Sequence, residues 1–307
     1  MKKLSSDKVC YAMSAANPPQ MRVAPGETFR LATQDCYSGK LASPSDKFTK
    51  DMWGAVNPAT GPVFVEGAAP GDLMRVRIHR IDAADHAVMC LEHGAGALAD
   101  QIEGVETSIM PISGGQLRID DRLSAPVRPM IGVIGLAPAE GAVPTGTPGP
   151  HGGNMDCKEI AAGSAVYLPV AAPGGLLAAG DIHALMGDGE VAICAAEVAG
   201  EVTLSADVLK GCPMPTPAVE TADGLLLLAS ARTLDECERL VLANAHRFLT
   251  AVVGLSANQS ARVMSLLGNL GVCQVVDPLK TMKFLLPKAA LASLDRGSRL
   301  KSVLFSC

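Results

Sequence analysis

The sequence predicts an α+β fold that is mainly β. The N-terminal two-thirds reads as a β-sandwich or barrel-like assembly, with a smaller α+β part following it. Three observations carry this. Between residues 20 and 230, apolar segments of strand length are cut by Pro25-Gly26, Pro70-Gly71, Gly114-Gly115, Pro173-Gly174 and Asp188-Gly189. Two of those segments alternate with period two. Near residue 230 the apolar period becomes that of a helix.

The elements follow in order. Met74-Arg75-Val76-Arg77-Ile78-His79 puts Met74, Val76 and Ile78 on one face and its charges on the other, and Val202 to Val208 alternates likewise. Asp188-Gly189 is a two-residue hairpin signal. Thr233-Leu234-Asp235-Glu236 forms a capping box. Behind it Leu234, Cys237, Val241, Ala245 and Phe248 recur at helical spacing, while Asp235, Glu238 and Arg239 take the wet face. A second box, Ser256 to Gln259, precedes Ala261, Met264 and Leu267, with Gly271 as the stop. Val272 to Val276 reads as a strand ending at Asp277-Pro278. Pro213, Pro215 and Pro217 mark a link over 210–222, which divides the chain into a β-rich domain over 1–210 and an α+β subdomain over 211–307.

Composition narrows the function classes. The 307 residues, 31.6 kDa, are 48% hydrophobic and 19% charged, enough apolar material for a sizeable core. Net charge is −5 and the longest basic run is Lys2-Lys3, which argues against nucleic acid and anionic membranes as partners. The longest uncharged apolar stretch, 160–180, is broken by Gly163, Pro169, Pro173, Gly174 and Gly175, so it reads as strands and turns rather than a membrane span. No apolar core of signal-peptide length follows the basic N-terminus. Nine cysteines, an odd number with no C-x-x-C pair, indicate reduced thiols in a cytoplasm and exclude a zinc ribbon. With aromatics at 3%, little is available to stack on a large aryl group, which favours small aliphatic ligands.

The chemistry concentrates in 148–197. His151-Gly152-Gly153-Asn154-Met155-Asp156 is followed by Gly180-Asp181-Ile182-His183 and Gly187-Asp188-Gly189-Glu190. In a strand, Asp181 and His183 face the same way and offer a carboxylate and an imidazole side by side, half of a hard-to-borderline metal site. The same pair also suits a buried histidine oriented by a carboxylate. Gly152-Gly153, between His151 and Asp156, lets bare backbone approach a small ligand. Cys157 or Cys36 could act as a nucleophile with a histidine base, or each could be a small buried residue. Asn57, in the turn 57–62, could cap a loop or reach a ligand; His93 could line a pocket or sit on an exposed loop. Glu190 and Glu197 are potential general bases or solvated carboxylates. The glycines match neither a phosphate loop nor a dinucleotide fingerprint.

At these residues the chain resembles the acetamidase/formamidase family. Asn57-Pro58-Ala59-Thr60-Gly61-Pro62-Val63 with Glu66 to Asp72, then Pro129 to Gly135, then the block His151 to Asp156 through Gly180-Asp181-Ile182-His183 to Glu190 are similar to its motifs, in the family's order over about 20–285. The resemblance implies a mainly β architecture, a homodimer or homotetramer, and hydrolysis of short aliphatic amides to carboxylate and ammonia. It also implies a divalent metal, zinc or calcium, for which Asp35, Asp156, Asp181 and His183 are the expected ligands. Glu197, Glu190, His151 and Asn154 are the expected catalytic groups. Gly152, Gly153, Asn57 and His93 are expected to bind substrate, with Asn154 and the two glycine amides as oxyanion donors. Family members often carry threonine at the position of Cys157, which turns against an essential thiol there. A cysteine-dependent amidase and a non-catalytic small-ligand or metal-binding relative are the competing readings.

Overall fold

The computed structural model describes residues 1–294 and residue 304. Two large sheets dominate. The nine-stranded sheet runs, edge to edge, through Lys2–Leu4, Thr28–Thr33, Gly200–Leu209, Leu73–Ala83, Ala165–Pro169, Ala218–Glu220, Gly224–Ala231, Lys280–Pro287 and Asn269–Gln274. The second, of eleven strands, holds the site. Its relevant strands are His86–Glu92, Glu197–Val198, Leu177–His183, Met130–Gly135 and Gly152–Asn154, with Ala59–Val65 also paired to Leu177–His183.

The predicted alternation at Met74–Ile78 and Val202–Val208 lies within two adjacent strands, paired antiparallel from Gly200↔Ala83 to Leu209↔Leu73. Met74, Val76, Ile78, Val202 and Leu204 join Ile131, Ile134, Leu177 and Ile182 of the other sheet in one buried cluster. Gly224–Ala231 is a run of leucines with no polar phase, because both its faces are covered. Leu226 and Leu228 enter the core between the sheets, whereas Leu225 and Leu227 pack under the helices.

Helix α1 (Leu234–Arg247) starts at the expected box: the Thr233 side chain accepts from the Glu236 backbone N–H, and the Glu236 carboxylate accepts from the Thr233 N–H. Cys237, Val241, Ala245 and Phe248 are buried against the nine-stranded sheet, and Leu234 is exposed. Helix α2 (Ala257–Leu267) begins at the Ser256–Gln259 box but stops at Gly268; Gly271 lies inside the edge strand. Any Cβ at Gly268 would collide with the Phe284 ring, so close packing ends the helix there.

Two expectations change. Asp188-Gly189 makes no hairpin; it belongs to the long loop 184–196, where the Gly189 N–H donates to the Cys273 carbonyl. The 210 boundary does not divide the sheet. Ala165–Pro169, from one side of it, pairs with Ala218–Glu220, from the other.

Candidate active site

The site is built at the end of Leu177–His183. Asp181 and His183 share a face, as period two requires. His183 pairs across the ladder with Met130 on one side and Glu197 on the other. The His183 Nε2 lies 3.4 Å from Glu197 Oε2, 3.5 Å from Asp181 Oδ2, and 3.9 Å from both Asp156 Oδ1 and Glu190 Oε1. All five residues are buried, Asp156 completely and His183 at 1% exposure.

Local backbone makes this convergence possible. Asn57, Asp156, Asp181 and Glu190 have φ of 54, 41, 56 and 46°. Left-handed conformations in non-glycine residues cost on the order of 1–3 kcal/mol each and cluster where surrounding structure imposes them for function. Glycine supplies the remaining space. A Cβ on Gly132, in the neighbouring strand, would stand 2.5 Å from Asp156 Oδ1 and 2.7 Å from Asp181 Oδ2.

Four buried carboxyl groups surround one imidazole, so charge dominates the site. Burial pushes the Glu190 and Glu197 carboxyls well above the usual range, and neighbouring carboxylates add to it. Asp156 is raised by the same desolvation. Burial alone would lower His183, but Glu197, Asp181 and Asp156 outweigh it and push the imidazole up to about 10. Both Asp156 oxygens, Asp181 Oδ1 and Glu197 Oε2 lack a hydrogen-bond donor. Buried carboxylates without donors are unfavourable unless a cation joins them. Oxygen-rich donors with one imidazole suit a hard or borderline divalent ion. Two triads have ligand atoms mutually within 4.8 Å: Asp156, His183 and Glu190, and Cys36, Asp181 and Glu197. These residues therefore fit a divalent metal.

A cavity of about 490 Å³ opens onto this cluster and is lined by Asp181, Glu190, Glu197, Cys36, Asn57, Asn154 and Asp277, with Tyr11, Tyr37 and Trp53 on its wall. The aromatic scarcity of the chain thus misleads: three of its ten aromatic residues meet at this one cavity.

The other expected residues divide. Asn57 belongs to the site, its Nδ2 donating to Asp181 Oδ2 at 3.3 Å. Asn154 lines the cavity, with Nδ2 donating to Asp277 Oδ2 at 3.0 Å and Oδ1 buried without a partner. Asp35 is not brought to the cluster; its Oδ1 accepts from the Tyr37 and Gly39 N–H groups as a turn cap, and the neighbouring Cys36 side chain takes the inward position. His93 lies on an exposed loop, with Nδ1 against the Ile102 carbonyl. His151 is buried and its ring is kept below its ordinary pKa by burial, but it does not line the cavity. Gly152 and Gly153 serve packing: a Cβ at either would strike the Ile134 or Thr147 carbonyl, and the Gly152 N–H already donates to Gly149. Cys157 is buried away from the cavity beside Glu159, its thiol raised by a hydrogen bond with Cys273 and by burial.

Asp277 is the residue missed from sequence. Its only visible feature was Asp-Pro at a strand end, which signals a turn and nothing more. The turn between Asn269–Gln274 and Lys280–Pro287 carries it to the cavity, where burial and Asp156 push its carboxyl well up.

A fold of two large sheets with a buried carboxylate–histidine cluster defines a class of small-molecule enzyme, and the comparisons agree on which. The Acetamidase/Formamidase family model matches residues 15–143 and 139–266, and the chain belongs to this family. It is similar in structure to an acetamidase from Bacillus halodurans (TM-score 0.94, 40% identity, 95% of this chain and 99% of that one). It is also similar to a predicted acetamidase/formamidase from Thermoanaerobacter tengcongensis (TM-score 0.93, 42% identity, 97% and 99%). Formamidase from Methylophilus methylotrophus is 29% identical over 249 residues, 61% of each chain. The chain thus spans about three fifths of the length of the curated relatives it matches. Among the described residues no helix is long and apolar enough to cross a membrane.

Proposed function

We propose that the protein hydrolyses short aliphatic primary amides, such as formamide or acetamide, to the carboxylate and ammonia, with a divalent cation held in the buried cluster. The observation that carries this is the set of buried carboxylate oxygens left without donors around His183 at the base of the cavity. Family membership supplies the reaction class.

Asp156, Asp181 and His183 are the residues that would hold the cation, with zinc and calcium the two ions that their mixed imidazole and oxygen donors suit. When bound, such an ion polarises a carbonyl and acidifies water. The chain's own groups do the rest. Glu197 is oriented by the Ala195 N–H, which donates to its Oε1 at 2.8 Å, leaving Oε2 free to take a proton from the attacking water. Glu190, whose carboxyl burial raises, suits delivery of a proton to the departing amine. Asn57 holds Asp181 in register. The cavity wall of Tyr37, Val56 and Ile193 excludes bulk water from the amide's alkyl side. Cytoplasmic location, a homo-oligomeric assembly and freedom from nucleic-acid and membrane partners complete the reading, on the thiol usage and acidic charge.

The test is ammonia release from formamide, acetamide and propionamide. Release from at least one supports the reading and ranks chain length. Saturable binding of these amides with no ammonia would move the protein to the non-catalytic alternative.

A further inference from the structure

We infer that Asn154 reads the NH₂ group of a primary carboxamide substrate, accepting one of its N–H bonds at Oδ1, and that Asp277 is the positioning residue that aims that oxygen. This rests on the amide-hydrolase reading above and assigns specificity within it.

The inference begins with a mismatch in hydrogen bonding. Asn154 is 4% exposed and lines the cavity. Its Nδ2 donates to Asp277 Oδ2 at 3.0 Å. Its Oδ1 is buried and has no donor. A side-chain amide presents one acceptor end and one donor end, and a carboxylate can only accept. With Asp277 beside it, the Nδ2 end faces Asp277, so the carbonyl end is the one left for a ligand. An unmet buried acceptor costs binding energy until a donor arrives. Among the parts of a short primary amide, only the NH₂ group donates; the carbonyl oxygen and the alkyl group do not. Asn154 is therefore complementary to the nitrogen end of the substrate rather than to the developing oxyanion that the sequence assigns to it.

Placement agrees. Asn154 ends the strand Gly152–Asn154, paired to Val133 across the ladder, and lies two residues before Asp156. The substrate nitrogen, held there, is beside the carboxyl cluster that must protonate it as it leaves. Asp277 arrives from the far end of the chain, beyond residue 266 where the family match stops. A site that hydrogen-bonds a substrate N–H discriminates strongly against isosteres lacking it, because its own acceptor is then stranded.

The experiment compares acetamide with methyl acetate, which keeps the carbonyl and both carbon groups but has no N–H. For Asn154→Ala, kcat/KM for acetamide should fall by about 10–100-fold while that for methyl acetate falls by less than about 3-fold. Asp277→Ala should show the same selective loss, and Asp277→Asn, whose own Oδ1 can accept from Asn154, should recover part of it. Metal content is measured on every variant. Equal losses on both substrates, or loss of metal from Asn154→Ala, would overturn the inference. Binding separates the two claims: line broadening of acetamide and methyl acetate by NMR is read on the wild-type chain and on Asn154→Ala. Wild-type binding selective for acetamide, and lost in Asn154→Ala, upholds the inference even if no ammonia is released, in which case only the hydrolase reading fails. Wild-type binding that does not distinguish amide from ester overturns the inference whatever the turnover.

Discussion

His183 and Glu197 sit directly opposite each other in an antiparallel ladder, and their side chains meet at 3.4 Å between Nε2 and Oε2 with both residues buried. That pairing anchors the cluster, because it fixes an imidazole and a carboxylate by backbone register rather than by flexible loops. It also sets what removal of either does. Leaving one partner as an uncompensated buried charge costs about 3–5 kcal/mol, so His183→Ala should be destabilised when metal is absent. His183→Ala should also lose metal affinity and turnover by more than the roughly 10–100-fold typical of an outer-shell partner. Metal content by elemental analysis, read beside ammonia release, checks this; full occupancy in His183→Ala would exclude the residue as a ligand.

Gly132 offers a test with no change of charge. Its missing Cβ is the space occupied by Asp156 Oδ1 and Asp181 Oδ2. Gly132→Ala should displace both carboxylates, with an overpacking cost of about 1–3 kcal/mol and a fall in metal affinity. A cooperative melt shows that the fold survives. Unchanged metal affinity in that variant would mean that these two oxygens are not ligands.

The pH dependence of stability should change sign with the metal. Asp156, Glu190 and Glu197 have folded-state pKa values above their unfolded ones. The folded chain then binds more protons, and stability falls as pH rises from the ordinary carboxylate range. His183, raised to about 10 from 6.5, adds stability that is complete below about 6.5 and lost as pH climbs through 10. Metal-stripped protein should therefore have a lower Tm at pH 8 than at pH 5. Divalent metal competes with those same protons, so its stabilising increment should grow with pH. Calorimetry across pH 5–8, with and without added metal, reads both slopes. A Tm of the stripped protein that rises over this range would contradict the assignment.

Cys157 separates the cysteine-dependent reading from the metal one. It is buried beside Glu159, outside the cavity, with a thiol held well above its usual pKa by Cys273 and burial. Cys157→Ala should keep turnover and lose about 1 kcal/mol of stability, the scale of a small buried deletion. Loss of turnover in a folded variant would restore the thiol as nucleophile.

Most of the fold was legible because local chemistry and tertiary position agreed. The capping boxes at Thr233 and Ser256 are self-contained signals and start α1 and α2 where expected. The alternating strands at Met74 and Val202 announce their buried faces. Asp181, His183, Asp156, Glu190 and Glu197 were legible as a group because their glycine-rich surroundings set them apart. What failed was anything depending on direction or on long-range return. Asp35 and Cys36 are neighbours, and nothing local says which of the two points inward. Gly152-Gly153 reads equally as ligand access or close packing, and a carbonyl on either side decides for packing. Asp277 reaches the site only through a turn after residue 274, so its neighbours in space are far from it in the chain.

The most direct measurement is ammonia release from acetamide by a single preparation, taken as purified, after chelation with metal removal verified, and after zinc or calcium is added back. The expected result is loss of turnover with the metal and recovery on adding it back. Undiminished release from verified metal-free protein would contradict a cation held by Asp156, Asp181 and His183 as part of the catalyst.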